Sequence, residues 1–345
     1  MQTKLSPNIT IMSISIKTHK MLWGRSGNLC AFPNCKKELV MDISETDDIS
    51  VVGEEAHIVA REPNGPRGSY PLDSEHRDKY ANLVLMCSTH HKVIDEHPLN
   101  YSVELLHEYK TNHENWVKQN LKIDNAKQRE DEIYASYLDD FIKLADIENY
   151  KAWTSWLLGG DHPKILKSQY DKLRDLINYI ISRVWYKRYP ELEYSLINFK
   201  NVLNDLLKVL DEHAEEVGNG EEIWTRKFYK IDRWDKELYE ELHEKYMFHV
   251  RLIVDLTLEL TRAINYIFDK VRQFLLPSFR IKEGVLLLEV GPFMDMSWRT
   301  FRVEYKPEER VEYPYPGLRN FMKIRNERDI CWGNGVDEDY FLPGF

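Results

Sequence analysis

The sequence predicts an α+β protein in two parts: a small domain of strands and short helices over about residues 1–124, then a mainly α-helical domain over 125–345 that ends in a small sheet. Three observations predict it. Strand-like runs at Ile49–Ala60 and Leu83–Cys87 bracket a glycine- and proline-rich loop, NGPRGSYPLD, and lead into a histidine pair that opens a helix. Three of the four cysteines fall in this first part. Beyond Asn125 the chain changes to long, charged stretches with apolar residues at helical spacing.

In chain order, the alternation Ile11, Ser13, Ile14, Ser15, Ile16 predicts a short strand or ordered arm. From Lys20, turn formers Gly24, Gly27 and Pro33 surround Cys30 and Cys35. The run Ile49–Ala60 is a strand, DSEHRDKY a short helical stretch, and LVLM a second strand ending at Cys87. A helix from Ser88 or Thr89 carries His90, His91 and Asp95 before Pro98 stops it, and another spans about Ser102–Leu121. Long helices follow at about Arg129–Leu158, from Pro163 to Arg188, at Glu191–Val217 with GNG ending it, and at Trp234–Leu275 as a bundle spine or oligomer contact. FRIKEGVLLLEVG and WRTFRVEY form the closing sheet.

Composition narrows the function classes. The 345 residues are 43% apolar and 30% charged, with a mean hydropathy of -0.54. No apolar run approaches the roughly 20 residues of a spanning helix, so no membrane partner is expected. The first twenty residues lack a sustained apolar core followed by a small-residue cleavage site, which predicts a cytoplasmic protein. Clustered cysteines in a reducing compartment point to metal ligation rather than disulfides. The net charge of -10 is unusual for a chain that binds nucleic acid, because phosphate affinity comes largely from basic surface. Both parts share it: 14 Lys and Arg stand against 17 Asp and Glu up to Asp124, and 33 against 40 after.

Cys30 and Cys35, joined by Cys87 and His90, make a C-x4-C plus C-x2-H set. Two short-spaced pairs deliver four tetrahedral sulfur and nitrogen ligands, which is what structural Zn2+ prefers. His91 cannot easily share that ion, because neighbouring helical side chains point about 100° apart. It faces a second site instead, where Asp95, four residues on along the same face, can join it in gripping a catalytic cation. His57, a strand histidine opposite that helix, is the candidate general base, since imidazole can take a proton from water near neutral pH. Arg61, Arg67 and Arg77 are the local candidates for phosphate and DNA contacts.

The order AHIVA, GPRG, NLVLMCSTHHKVID, with a strand histidine, Asn82 in a turn and a histidine pair on a helix, resembles an HNH (ββα-metal) endonuclease site in its zinc-containing form. The resemblance covers about residues 20–121. It implies hydrolysis of DNA phosphodiester bonds, most commonly in double-stranded DNA, to 5′-phosphate and 3′-hydroxyl ends, with Mg2+ or Mn2+ at the catalytic site and the zinc purely structural. Asn82 corresponds to the family's central asparagine, whose amide either orients the base or stabilises the turn. One departure is Ala56, where many such sites carry a metal-binding Asp or His. Strand alternation puts Glu55 on the His57 face, as a substitute ligand or a hydrogen-bond partner of the base. These segments, with HENWV, also resemble nuclease modules of bacterial anti-phage effectors. That implies a regulated enzyme that works as a homo-oligomer or with a defence-system partner, its second domain serving for sensing or assembly. The competing readings are a non-catalytic zinc scaffold that binds DNA or protein, and an HNH toxin with an immunity partner.

Overall fold

A computed structural model describes residues 14–41, 50–121, 124–160, 162–233, 235–293 and 295–341, and the architecture is mixed α+β with small sheets and a mostly helical C-terminal region. Two compact units emerge. One holds the described residues up to Asp139 with Leu275–Ser278, and the other holds Asp140–Phe274 with the described residues from Phe279.

In the first unit, helix α1 (Ile16–Ser26) begins where a strand or arm is expected from the isoleucine alternation. Ser15 caps it by accepting from Thr18 N, and Asp139 accepts from the free amides of Ile16 and Lys17, so orphan donors of the first turn are satisfied. Gly27, at φ 61°, closes the helix in the left-handed conformation that glycine adopts without a Cβ clash. Ile11 and Ser13 lie outside the described residues.

The expected single strand over Ile49–Ala60 is two, with Ile49 itself outside the described residues. Strands β1 (Val40–Met41) and β2 (Ser50–Val51) pair antiparallel, while β3 (Gly53–His57) pairs elsewhere. The break is at Val52, whose amide donates to Leu39 O instead of continuing a ladder. The short helix α2 (Ser74–Arg77) and a 3-10 turn at Tyr80–Asn82 lead into β4 (Leu83–Cys87), antiparallel to β3 with Gly53 opposite Cys87 and His57 opposite Leu83. All five β4 residues are buried, so this strand is the floor of the unit. Helices α3 (Ser88–Glu96) and α4 (Val103–Asn120) follow, with Leu106 and Ile94 in the same core as Leu22, Leu39, Ala56 and Ile58.

The second unit departs from the expected four helices in ways that turn residues explain. The stretch 125–158 is α5 (Asn125–Leu144) and α6 (Tyr150–Leu158), separated by a 3-10 turn at Ile147–Asn149, because Asp146 sits at φ 51° and cannot continue a right-handed helix. The division between units falls within α5. Pro163 precedes β5 (Lys164–Leu166) rather than a helix; α7 (Lys167–Ile181) starts after it. Helix α8 (Pro190–Glu212) stops before Val217, and GNG instead turns a hairpin between β6 (Ala214–Val217) and β7 (Glu222–Thr225), with positive φ at Gly218, Asn219 and Gly220. The 39-residue α9 (Lys236–Phe274), about 58 Å long, is the spine. Leu252–Phe268 is buried on every face, as in an interior helix, and α8 packs along it. The closing sheet pairs β8 (Leu287–Val290) with β9 (Arg299–Arg302), and α10 (Leu318–Ile324) follows.

Candidate functional site

Two backbone devices assemble the cysteine cluster. Leu29 and Glu38 bridge antiparallel and Cys30 N donates to Lys37 O, closing a loop that turns at Asn34 (φ 63°) and Lys36 (φ 48°). Ala31 N then donates to Leu85 O, which lays this loop beside β4 where it ends at Cys87. His90 follows in the first turn of α3, its ring stacked on Phe32 with centroids 4.0 Å apart. The ligand atoms of Cys30, Cys35, Cys87 and His90 all lie within 4.8 Å of one another.

These residues fit zinc. Tetrahedral coordination at usual Zn–S and Zn–N lengths puts sulfur and nitrogen about 3.6 Å apart. His90 Nδ1 is 3.6 Å from Cys30 Sγ and 3.2 Å from Cys87 Sγ. Cys87 N donates to Cys30 Sγ at 3.3 Å, a bond that favours a thiolate. Burial pushes the Cys30 thiol up to about 12 and holds His90 below its ordinary value. The imidazole is thus kept neutral as a ligand must be, and the sulfur needs a cation to ionise.

A second cluster lies on the other side of α3. His91 and Asp95 stand one turn apart, Nε2 to Oδ2 at 3.3 Å, as their spacing predicts. The other polar atom of each is already engaged: Glu54 Oε2 is 2.5 Å from His91 Nδ1, and Arg67 Nη2 donates to Asp95 Oδ1 at 2.7 Å. A carboxylate on Nδ1 holds the proton there in the neutral ring, which leaves Nε2 as the nitrogen that could bind a cation. Two ligands in adjacent octahedral positions at magnesium lengths are about 3.0 Å apart, so this pair also fits a hard divalent cation. In the protonated ring His91 donates to Asp95 and to Glu54, and these bonds, opposed by burial, raise its pKa; a cation at Nε2 would have to displace the proton there. The Asp95 carboxyl is held low because the bonds from His91 and Arg67 outweigh its burial.

His57 ends β3. Its Nε2 is 2.8 Å from Asp78 Oδ1, and Nδ1 has no hydrogen-bond partner among the described residues. An ionised carboxylate only accepts, so Nε2 carries the proton and Nδ1 presents the lone pair. One Arg67 nitrogen contacts both His57 O, at 3.4 Å, and Asp95 Oδ1, which ties the strand end bearing His57 to α3.

Other expected roles fall differently. Asn82 is buried and its amide makes three bonds to backbone, accepting from Val59 N (2.9 Å) and donating to Val59 O and Arg77 O (both 2.8 Å); none reaches His57. Of the two roles open to it, the geometry is that of a turn brace. Glu55 does not meet His57 or His91: its carboxylate is taken by His19 Nδ1 and by Trp23 Nε1 at 2.8 Å, because α1 covers its face of β3. Arg67, 4% exposed, and Arg77 are turned inward onto backbone carbonyls, Arg67 to Ile58 O and Ile94 O, Arg77 to Ala60 O, Gly68 O and Leu72 O. Of the three arginines expected at phosphates, only Arg61 is exposed enough to reach one, and its guanidinium is already bound to Asp78.

Sequence reasoning missed Glu54 and Asp78. Alternation separates Glu54 from Glu55 but does not say which face α3 covers, and Asp78 is one acid among several in DSEHRDKY.

No known protein-family model and no curated protein matches the chain. What it can do rests on its own residues. Among the described residues no helix is long and apolar enough to cross a membrane.

Proposed function

We propose that the N-terminal unit is an HNH-type, metal-dependent endonuclease that hydrolyses DNA phosphodiester bonds. The observation that carries the proposal is His57: its Nε2 is held by a carboxylate, its Nδ1 makes no hydrogen bond among the described residues, and its strand end is tied through Arg67 to the His91–Asp95 pair. Nδ1 takes a proton from water as the water oxygen bonds to phosphorus and the P–O3′ bond breaks; the leaving oxygen takes its proton from solvent. His91 Nε2 and Asp95 Oδ2 would hold a divalent cation, Mg2+ or Mn2+, whose chemistry there would be positive charge at the phosphate oxygens. Glu54 and Arg67 keep those two side chains oriented, and Cys30, Cys35, Cys87 and His90 would hold a structural zinc that keeps β4 and the start of α3 in register with the loop at Cys30.

The substrate is double-stranded DNA and the setting a regulated anti-phage effector. The chain is acidic overall, and the inward turn of Arg67 and Arg77 removes two of the three arginines expected at phosphates, so a single chain binds duplex weakly. We further propose that the helical region from about residue 125 supplies affinity by assembling several chains or docking a partner, which makes a second DNA contact intramolecular. The same acidic balance favours a second reading, a zinc-containing scaffold that binds a protein.

The test is plasmid cleavage by full-length protein with Mg2+ or Mn2+ across protein concentration, beside His57→Ala. Cleavage that rises faster than linearly with concentration and is lost in His57→Ala at unchanged zinc content is the expected result. Undiminished cleavage in His57→Ala rejects the mechanism, and no cleavage at any concentration leaves the scaffold.

A further inference from the structure

We infer that Asp78, clamped by Arg61, is the positioning residue for His57; the inference rests on His57 acting as general base. Three observations converge. Asp78 is buried, and its Oδ1 accepts from His57 Nε2 at 2.8 Å and from Arg61 Nη2 and Nε at 2.8 and 3.1 Å. His57 and Arg61 meet at the same carboxylate oxygen, Oδ1, so the guanidinium sets where the acceptor stands for the imidazole. A carboxylate oxygen accepts, so Oδ1 is the acceptor for the ring N–H at Nε2.

The segments that carry the two partners are also braced to each other. Asn82 bonds Val59, two residues after His57, and Arg77 O, the carbonyl next to Asp78. Ile58 N donates to Asn82 O, and Arg77 Nη1 donates to Ala60 O at 2.5 Å. Neither residue touches the imidazole, yet together they fix the separation across which His57 and Asp78 meet. A surface ion pair formed by chance would not need two buried side chains to hold its backbone, since exposed pairs gain little from fixed geometry.

The consequence is chemical. With Nε2 bonded to Asp78, turning the ring would break that bond, so Nδ1 keeps one direction, and the positive charge that develops on His57 as it takes a proton is met by Asp78. In hydrolases that use a carboxylate behind a histidine, losing it costs roughly 10²–10⁴-fold in kcat while substrate binding is largely kept.

The experiment uses full-length protein, Asp78→Ala and Asp78→Glu, with steady-state cleavage of duplex DNA and the low-field proton NMR spectrum. The proton on His57 Nε2, assigned by its loss in His57→Gln, should resonate at low field in the parent, vanish in Asp78→Ala and return in Asp78→Glu. In Asp78→Ala, kcat should fall roughly 10²–10⁴-fold with KM within about threefold. Sodium formate should restore part of the rate by seating a carboxylate beside Arg61, where sodium chloride does not. Unchanged kcat in Asp78→Ala, or persistence of the low-field proton there, overturns the inference. Should Asp78→Ala not fold, as read by circular dichroism and zinc content, Asp78→Asn replaces it; it keeps one acceptor without the charge, and an unchanged kcat in it likewise overturns the inference. A parent chain that cuts no DNA, yet shows the low-field proton and loses it in Asp78→Ala, removes the nuclease reading and leaves the His57–Asp78 pairing standing.

Discussion

Replacing Asn82 with alanine tests whether this residue braces the site or takes part in the reaction. The amide is buried and makes three backbone bonds, so truncation strands one N–H, that of Val59, and two carbonyls, those of Val59 and Arg77. Each stranded buried group costs about 1–3 kcal/mol, and the stranded carbonyls recover part of that through water entering the space left. The net loss expected is about 3–5 kcal/mol, a large fraction of a domain's stability. Two measurements read it: urea unfolding of the N-terminal unit followed by zinc release, and hydrogen exchange at the Val59 amide, whose protection should drop at least about tenfold. Cleavage should fall in step with the unfolded fraction and with the misplacement of Asp78. Unchanged Val59 protection and unfolding midpoint, combined with lost cleavage, would refute the brace and give Asn82 a direct part in the chemistry.

Purified protein should carry about one zinc per chain, and Cys87→Ser should lose it together with the fold of the N-terminal unit, read by metal analysis and circular dichroism. In the second unit Asp255 accepts from Arg325 and from the backbone amides of Trp332 and Gly333, with both side chains almost wholly buried. Arg325→Leu should cost about 3–5 kcal/mol in thermal or urea unfolding, and adding Asp255→Leu should recover part of that loss, because an unpaired buried charge is worse than none. Burial holds the His249 pKa down at about 3, so between that value and its ordinary 6.5 the unfolded chain binds the extra proton. Its contribution is complete above pH 6.5 and is lost as pH falls, at up to about 1.4 kcal/mol per pH unit. Asp255, pushed up by burial to about 6, has the opposite slope, so the parent must be compared with His249→Gln; identical pH dependence of the two would exclude the buried neutral histidine.

Spacing alone determined the local chemistry of the N-terminal unit. C-x4-C with C-x2-H named the four residues that converge, and the i,i+4 relation of His91 and Asp95 on a helix is geometry that any α3 would produce. The strand ending at Cys87 and the helices after it were likewise legible, because their apolar patterns and stop signals are local. The failures lie where one residue's conformation interrupts a pattern. Asp146 at positive φ divides α5 from α6, and GNG turns a hairpin rather than ending α8, since the same residues serve both purposes.

Only tertiary structure decided which partners meet. Strand alternation told Glu54 from Glu55 but not that α3 would cover the Glu54 face and α1 the other, which gave Glu54 to His91 and Glu55 to His19 and Trp23. The same holds for the arginines. A guanidinium suits a phosphate or a ring of carbonyls equally well, and Arg67 and Arg77 went inward to carbonyls of the segment between β3 and β4 and, for Arg67, to Ile94 O in the last turn of α3, which no ladder satisfies. Asp78 reaches His57 across a chain separation of 21 residues, and nothing periodic in the sequence marks that meeting.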